Sequence, residues 1–312
     1  MKIIITREQS AVILNIKNYL YLEFTQRLLL NIKKIIIIFK RIYTTGDKYK
    51  LNVRGLSYAY LIGLIEGDGW ISITKKGKYL TYEVGLEMNI KNIQLLYKIK
   101  DVLGIGKIKI RVRKNINNNE ISSAIYNIRN KKHLKEIIIP IFDKFLMLTN
   151  KQYDYLRFKS ALLNNIIFSE DLPKYTRPKE PLNSIDNILK THYFSDWLIG
   201  FIEAEGCFSI YKSKINDNNS YVASFDIAQT NSFEIIQAIK MYLNISTSIY
   251  KDKTNCFKIK TTNVRDIENV IKYLKNNPTR LLGNKKLQYI LFLKKIKKIP
   301  RYSKVINIPN QY

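Results

Sequence analysis

A nine-residue stretch occurs twice in this chain. Leu61-Ile62-Gly63-Leu64-Ile65-Glu66-Gly67-Asp68-Gly69 returns in the second half as Leu198-Ile199-Gly200-Phe201-Ile202-Glu203-Ala204-Glu205-Gly206. A second landmark recurs at nearly the same offset: Thr149-Asn150-Lys151-Gln152-Tyr153 and Gly283-Asn284-Lys285-Lys286-Leu287. The separation of acid from lysine, Asp68 to Lys151 and Glu205 to Lys285, is thus almost equal in the two copies. Two ordered landmarks repeating together point to duplication, which constrains the fold more than any composition does. The expected layout is an N-terminal extension at 1–54, poorly ordered or removed. A first half at 55–168, a linker at 169–190 and a second half at 191–312 with a basic C-terminal tail follow it.

Each half predicts the same order of elements. Ser57 onward reads as a helix stopped by Gly69. Ile71–Thr74 and Tyr79–Asn89 read as strands about the turn Lys76-Gly77-Lys78. Leu80, Tyr82, Val84, Leu86 and Met88 alternate with Thr81, Glu83, Gly85, Glu87 and Asn89, the period-two pattern of a half-buried strand. Helical spacing over Asn92–Leu103, a hairpin of Lys107–Arg113 with Ile121–Arg129, and helices at His133–Phe142 and Lys151–Leu163 complete the half. The second half predicts a helix near Tyr193–Glu205, strands Phe208–Lys212 and Tyr221–Gln229, and a helix Phe233–Leu243. Strands near Ser248 and at Phe257–Thr261, then helices from Val264 and Asn284, follow. Between the halves, Pro173, Pro178 and Pro181 among many charges predict an exposed linker.

The repeated motif breaks two helix rules. Gly63 and Gly67 lie four apart, on one face, as do Gly200 and Ala204. Glycine inside a helix costs about 1 kcal/mol relative to alanine, which makes sense where a second backbone approaches closely. Asp68 and Glu205 end their helices, where a carboxylate opposes the dipole by roughly 0.3–1 kcal/mol. If the two helices pack through these small residues, the two acids converge at one end. Paired carboxylates repel unless a cation lies between them, and oxygen donors alone favour Mg²⁺ or a similar hard ion, with Mn²⁺ as a substitute. Such an ion beside a polyanion suits phosphodiester hydrolysis. A single copy reads more simply as an amphipathic helix with a capping glycine; two copies in register with paired lysines do not.

On these residues the chain resembles the LAGLIDADG homing endonucleases of the two-motif, single-chain type. Stretches such as 74–83, 150–158, 180–185, 224–229 and 281–289 resemble a subgroup, the fungal mitochondrial DNA endonuclease/RNA maturases of apocytochrome b group I introns. The resemblance covers about residues 56–312. It implies an α+β fold, a pseudo-symmetric pair of αββαββα halves with the motif helices at the central interface. It also implies catalytic roles for Asp68, Glu205, Lys151, Lys285 and Gln229. The metal falls at Asp68 and Glu205 together with Gly67 and Ala204, while the helix interface is Gly63, Gly67, Gly200 and Ala204. Glu66 and Glu203, the first acids, are not metal ligands in that pattern. The position matching Gln229 in the first half reads as Ile90. The implied partners are a double-stranded DNA target and group I intron RNA, for a monomer in the mitochondrion.

Charge bears on the partners. Lys and Arg number 53 against 25 Asp and Glu, a net +28, and such a field favours a polyanion. Residues 1–54 hold +8 of it, leaving +20 for the rest. Ile (51), Lys (41), Asn (30) and Tyr (22) fill almost half the chain, and all have codons rich in A and T. An AT-rich organellar gene accounts for that bias and for part of the charge. Lys107, Lys109, Arg111 and Arg113 alternate with Ile108, Ile110 and Val112, which predicts a strand with one cationic face and one packed on helices. Lys258 and Lys260 about Ile259 form a weaker version, and Lys285–Tyr312 carries eight basic residues and no acid. Two cysteines exclude a disulfide framework, and no apolar stretch approaches the roughly 18 residues of a membrane span. Three functions fit: a DNA endonuclease, an RNA maturase with weak or lost cleavage, and a regulatory DNA binder whose nuclease is dead.

Overall fold

A computed structural model describes residues 56–312 apart from 115–117, 119, 213–220 and 311. The expected extension at 1–54 lies outside the described residues. The first half opens with helix α1, Tyr58–Asp68, whose N-cap Ser57 accepts a hydrogen bond from the Tyr60 amide at 3.1 Å. Gly69 ends α1 in extended conformation (φ −102°, ψ 174°), so the chain passes straight into strand β1, Gly69–Lys76. A Cβ on Gly69 would stand 2.7 Å from the Ile65 carbonyl oxygen and 2.9 Å from that of Gly85. Only glycine allows this helix-to-strand passage against the neighbouring strand.

β2 (Tyr79–Asn89) pairs antiparallel with β1, and helix α2 (Ile93–Leu103) ends at Gly104 with a left-handed φ of 68°. β3 (Lys107–Lys114) and β4 (Glu120–Ile128) follow. Then comes α3, in three runs: Lys131–His133, a π-helical turn Leu134–Ile138, and Ile139–Lys144. α4 is Lys151–Leu163, and a short α5, Ile185–Lys190, precedes the second half. That half repeats the plan with α6 (Phe194–Glu205), β5 (Cys207–Lys212), β6 (Tyr221–Thr230) and α7 (Phe233–Tyr242). β7 (Tyr250–Lys251), β8 (Cys256–Thr261), α8 (Val264–Asn276), α9 (Asn284–Ile296) and the short α10 (Pro300–Ser303) complete it.

The sheets have matching orders, β1-β2-β4-β3 and β5-β6-β8-β7, with every pairing antiparallel. This is the α+β pair of αββαββα halves that the resemblance implies. Leu80, Tyr82, Val84, Leu86 and Met88 are all buried, as their alternation requires, and they pack beneath helices. In the second half Ala223, Phe225 and Ile227 do the same.

Two local expectations change. The segment 169–190, expected as an exposed linker, contains α5, whose Ile188 is fully buried in the core. Its beginning is also anchored, because the Ser169 amide donates to the Lys78 carbonyl at 2.8 Å. The strand expected near Ser248 starts at Tyr250 and is two residues long. Asp252 accounts for its brevity: its Oδ1 accepts from the Thr254 and Cys256 amides at 2.8 and 3.0 Å, turning the chain at once. Among the described residues no helix is long and apolar enough to cross a membrane, and both cysteines are free thiols.

Candidate active site

The two motif helices, α1 and α6, pack along their small residues. A Cβ on Gly63 would stand 2.0 Å from the Trp197 carbonyl oxygen, and one on Gly200 would stand 1.9 Å from that of Tyr60. A Cβ on Gly67 would meet the Ala204 Cβ at 2.3 Å and Glu205 Cγ at 3.2 Å. Backbone therefore lies against backbone at Gly63 and Gly200, an approach that no side chain permits. Buried Leu61, Ile62, Leu64, Leu198, Ile199 and Ile202 fill the space around it, and Trp197 stacks on Phe201 with ring centroids 4.7 Å apart.

This packing brings Asp68 and Glu205 to the same end of the interface, both half-buried. Burial pushes the Asp68 carboxyl up to about 6, with Lys285 and then Lys151 pulling it back. Burial and then the Asp68 charge push Glu205 up to about 7, against Lys151 and Lys285. Both lysines thus act on both acids across the interface. Burial lowers the Lys151 ammonium, and the Glu66 and Glu205 carboxylates oppose that. Lys151 Nζ donates to the carbonyls of Ile65 (2.8 Å) and Gly69 (2.7 Å), and Lys285 Nζ donates to the Gly206 carbonyl at 2.5 Å. Each lysine caps the C-terminal end of its own motif helix, where carbonyls lack partners and cations are favoured.

A divalent cation fits this donor set. Two carboxylates held together with no His or Cys beside them offer only hard oxygen ligands. Among the described residues no group of three or more His, Cys, Asp or Glu offers a self-sufficient cage. The set therefore suits an ion whose remaining ligands are water and phosphate oxygens.

Gln229 sits on a neighbouring strand. It is half-buried on the core-facing side of β6, opposite Phe257, with no hydrogen bond to either acid among the described residues. Strand register also corrects its counterpart. Cys207 pairs with Asp226 as Trp70 pairs with Gly85, so Asp226 aligns with Gly85 and Gln229 matches Met88, not Ile90. The second hairpin is longer than the first, which a constant motif offset conceals. Ile90 lies beyond the strand, in a 3₁₀ turn.

The basic strand also departs from its expected form. Lys107, Lys109, Arg111 and Arg113 are exposed on one face of β3, but the face is not free of acid. Glu87 of β2 accepts Arg111 at 3.0 Å and Arg113 at 3.5 Å. The opposite side packs only at its base: Ile108 is partly buried, whereas Ile110 and Val112 are 61% and 55% exposed. The hairpin outruns the helices beneath it. Lys107 and Lys109, with Asn127, Arg129 and His133, line a cleft of about 360 Å³. In the second half Lys258 pairs with Asp226 at 2.9 Å and Lys260 lies over the Tyr211 ring at 5.4 Å.

The sequence assigns the first acids of each motif no role beyond not being metal ligands. Glu66 and Glu203 are buried, and both accept hydrogen bonds from the loops ahead of α4 and α9. Burial raises both carboxyls, and the backbone donors around them oppose the rise. Their repetition in the nonapeptide was the available signal. So was the matching place of Tyr60 and Trp197, each immediately ahead of its nonapeptide, which donate to these acids.

Comparisons with known proteins agree with this site. The family model described as LAGLIDADG endonuclease matches residues 61–162 and again 198–296. The chain belongs to the LAGLIDADG endonuclease family. It is 34% identical over 200 residues to a probable intron-encoded endonuclease, Cox1-I1b, of Schizosaccharomyces pombe, covering 59% of this chain and 48% of the relative. It is 29% identical over 254 residues to the probable intron-encoded endonuclease aI3 of Dictyostelium citrinum, covering 79% and 97%. The chain thus spans about half the length of the first relative and nearly all of the second. Both relatives are, by name, probable intron-encoded endonucleases. Among solved structures, I-SmaMI bound to an uncleaved DNA target with calcium ions is similar in fold, with TM-score 0.63, 24% identity and coverage of 80% and 93%. I-GzeII in complex with its DNA target gives TM-score 0.63, 20% identity and coverage of 80% and 92%.

Proposed function

We propose that this chain is a metal-dependent, site-specific endonuclease that hydrolyses both strands of a long, asymmetric DNA duplex. The observation that carries this reading is the pairing of Asp68 and Glu205 at one end of a two-helix interface, between two lysines. Asp68 and Glu205, flanked by Gly67 and Ala204, hold Mg²⁺, with Mn²⁺ able to replace it; the ion supplies activation of water and charge stabilisation at the phosphate. The carboxylates need their protons removed to serve, and Lys151 and Lys285 favour that ionised state. The same ammonium groups place positive charge where the phosphodiester gains negative charge during attack. Water adds to phosphorus as the bond to the leaving sugar oxygen breaks, once on each strand. The two sheets, with Lys107, Lys109, Arg111 and Arg113 on one and Lys258 and Lys260 on the other, lie along the duplex grooves. Gln229 orders water on one side only, since its counterpart is Met88.

The relatives' intron-encoded character and the resemblance support a mitochondrial location, a monomeric state, and a second role as an RNA maturase for the chain's own group I intron. Both acids are present, which favours a working nuclease over the maturase-only reading. The test is cleavage of an intronless target duplex with Mg²⁺, comparing the wild type with Asp68→Asn and Glu205→Gln. Cleavage by the wild type and loss in both variants is expected. Equal cutting by both variants overturns the metal assignment. No cutting by the wild type, with intron RNA bound and its splicing assisted, makes the maturase role primary.

A further inference from the structure

Each motif contains two acids, and the proposed chemistry uses only the second. Glu203 is buried, yet its carboxylate is fully engaged. Its Oε2 accepts from the amides of Leu282 (2.9 Å) and Gly283 (3.1 Å), and its Oε1 accepts from the amide of Lys285 (3.1 Å). It therefore occupies the cluster of unpaired amides that opens α9, the helix that carries Lys285. A fourth donor crosses the interface: the Tyr60 hydroxyl of the first half, at 3.2 Å. Glu66 mirrors this arrangement. It accepts from the Thr149 amide at 2.6 Å and from the Trp197 indole of the second half. Thr149 Oγ1 in turn accepts from the Lys151 amide at 3.2 Å.

The clasp closes from the other side, because Lys151 and Lys285 donate to the carbonyls that end the motif helices. At the helix starts one position sets the two halves apart. Thr149 and Gly283 are equivalent positions, and a Cβ on Gly283 would stand 2.7 Å from Glu203 Oε1 and 2.6 Å from Asn92 Oδ1. The missing side chain lets Glu203 reach the Lys285 amide directly, and lets Asn92 of the first half accept from the Asn284 amide at 2.7 Å. In the first half the threonine hydroxyl stands between acid and lysine.

We propose that Glu66 and Glu203 are positioning residues for strand cleavage, each fixing the helix start that presents its half's lysine and tying it to the opposite half through Trp197 or Tyr60. The inference rests on the nuclease reading above. Stability alone does not call for such groups, since buried charge is commonly replaced by apolar packing without loss. Placement does, because a shift of about 1 Å in a reacting constellation costs on the order of 100-fold in rate.

The experiment uses the full chain, Mg²⁺ and the intronless target duplex, end-labelled on one strand or the other. Lys151→Ala and Lys285→Ala first establish which strand depends on which lysine. Glu203→Gln is expected to slow the Lys285-dependent strand by about 10- to 100-fold in kcat, with KM for the duplex little changed. Glu66→Gln is expected to slow the Lys151-dependent strand in the same way. Gly283→Ala keeps every carboxylate and crowds chiefly Asn92 and Glu203, with Leu95 Cδ2 next at 3.0 Å, so it must reproduce the Glu203→Gln strand bias even if Glu203→Gln does not fold. Tyr60→Phe must give the same bias more weakly. Variants that cut both strands at the wild-type ratio, or slow both equally, overturn the positioning role while the nuclease reading stands. A wild type that cuts neither strand overturns both.

Discussion

In the first half the outer hairpin runs along Lys107–Lys114, and in the second its equivalent is Tyr250–Lys251, closed at once by the Asp252 turn. At the helix interface the halves show no such divergence. Gly63 faces the Trp197 carbonyl as Gly200 faces that of Tyr60, and each buried acid takes an aromatic donor from across the interface. Contact between the halves restricts what drift can change, because a Cβ at either glycine would enter a backbone atom. The outer hairpins project into solvent, and their lengths and charges have separated. What the inner layer must do is the same on both sides; what the sheets must touch is not.

The largest test of this symmetry is at the acids. Asp68→Asn and Glu205→Gln should each lower cleavage by at least about 100- to 1000-fold, the scale of losing one charge-stabilising group. A variant that loses far less than its partner would break the equivalence. Next comes packing: Gly63→Ala and Gly200→Ala should each destabilise by about 2–3 kcal/mol, as overpacked cores do, read from denaturant midpoints. Unequal losses would show that one backbone yields more readily.

Gln229→Met should bring the two strand-cutting rates together, and Met88→Gln should act less, because Met88 is buried. Single-strand nicking rates measure both, with about a tenfold change expected at Gln229. The acids also predict a pH effect. Their folded pKa values, about 6 and about 7, lie above those of ordinary carboxyls, so their contribution to stability is present in acid and lost as pH rises through that range. Mg²⁺ should therefore raise the melting temperature little in acid and progressively more as pH rises past both values. A gain that does not change with pH would place the ion elsewhere. The smallest effect is at the hairpins: Lys109→Ala should lower the salt slope of DNA binding by about 0.9, and Lys258→Ala by less, since Asp226 already pairs with it.

The inner layer was legible in the sequence because glycines four apart and paired acids leave a periodic trace. The strands of the first half were legible through alternation, and Gly69 and Gly206 marked their helix ends. Four things were hidden. The tight Asp252 turn shortens a strand through side-chain bonds that no periodicity records. The extra residues of the second hairpin lie between matched landmarks, so the sequence alone sets Gln229 against Ile90 where register places it with Met88. The buried acids were visible as residues but not as partners, since Glu203 gathers donors 79 to 143 positions away. The acid on the hairpin face, Glu87, was likewise invisible from β3 alone.

An interface specified by absent side chains sets terms for building chimeras from relatives. Any half with glycine where Gly63 or Gly200 stands, and glycine or alanine where Gly67 or Ala204 stands, comes close to satisfying the shape, so shape alone does little to reject a foreign partner. The aromatic donors are stricter. A transplanted half must bring a hydroxyl or indole where Tyr60 or Trp197 stands, or its host's acid is left buried with one donor fewer. Compatibility between halves of different parentage is thus written in two fully buried residues, and a swap that carries them over should tolerate wide divergence in the hairpins.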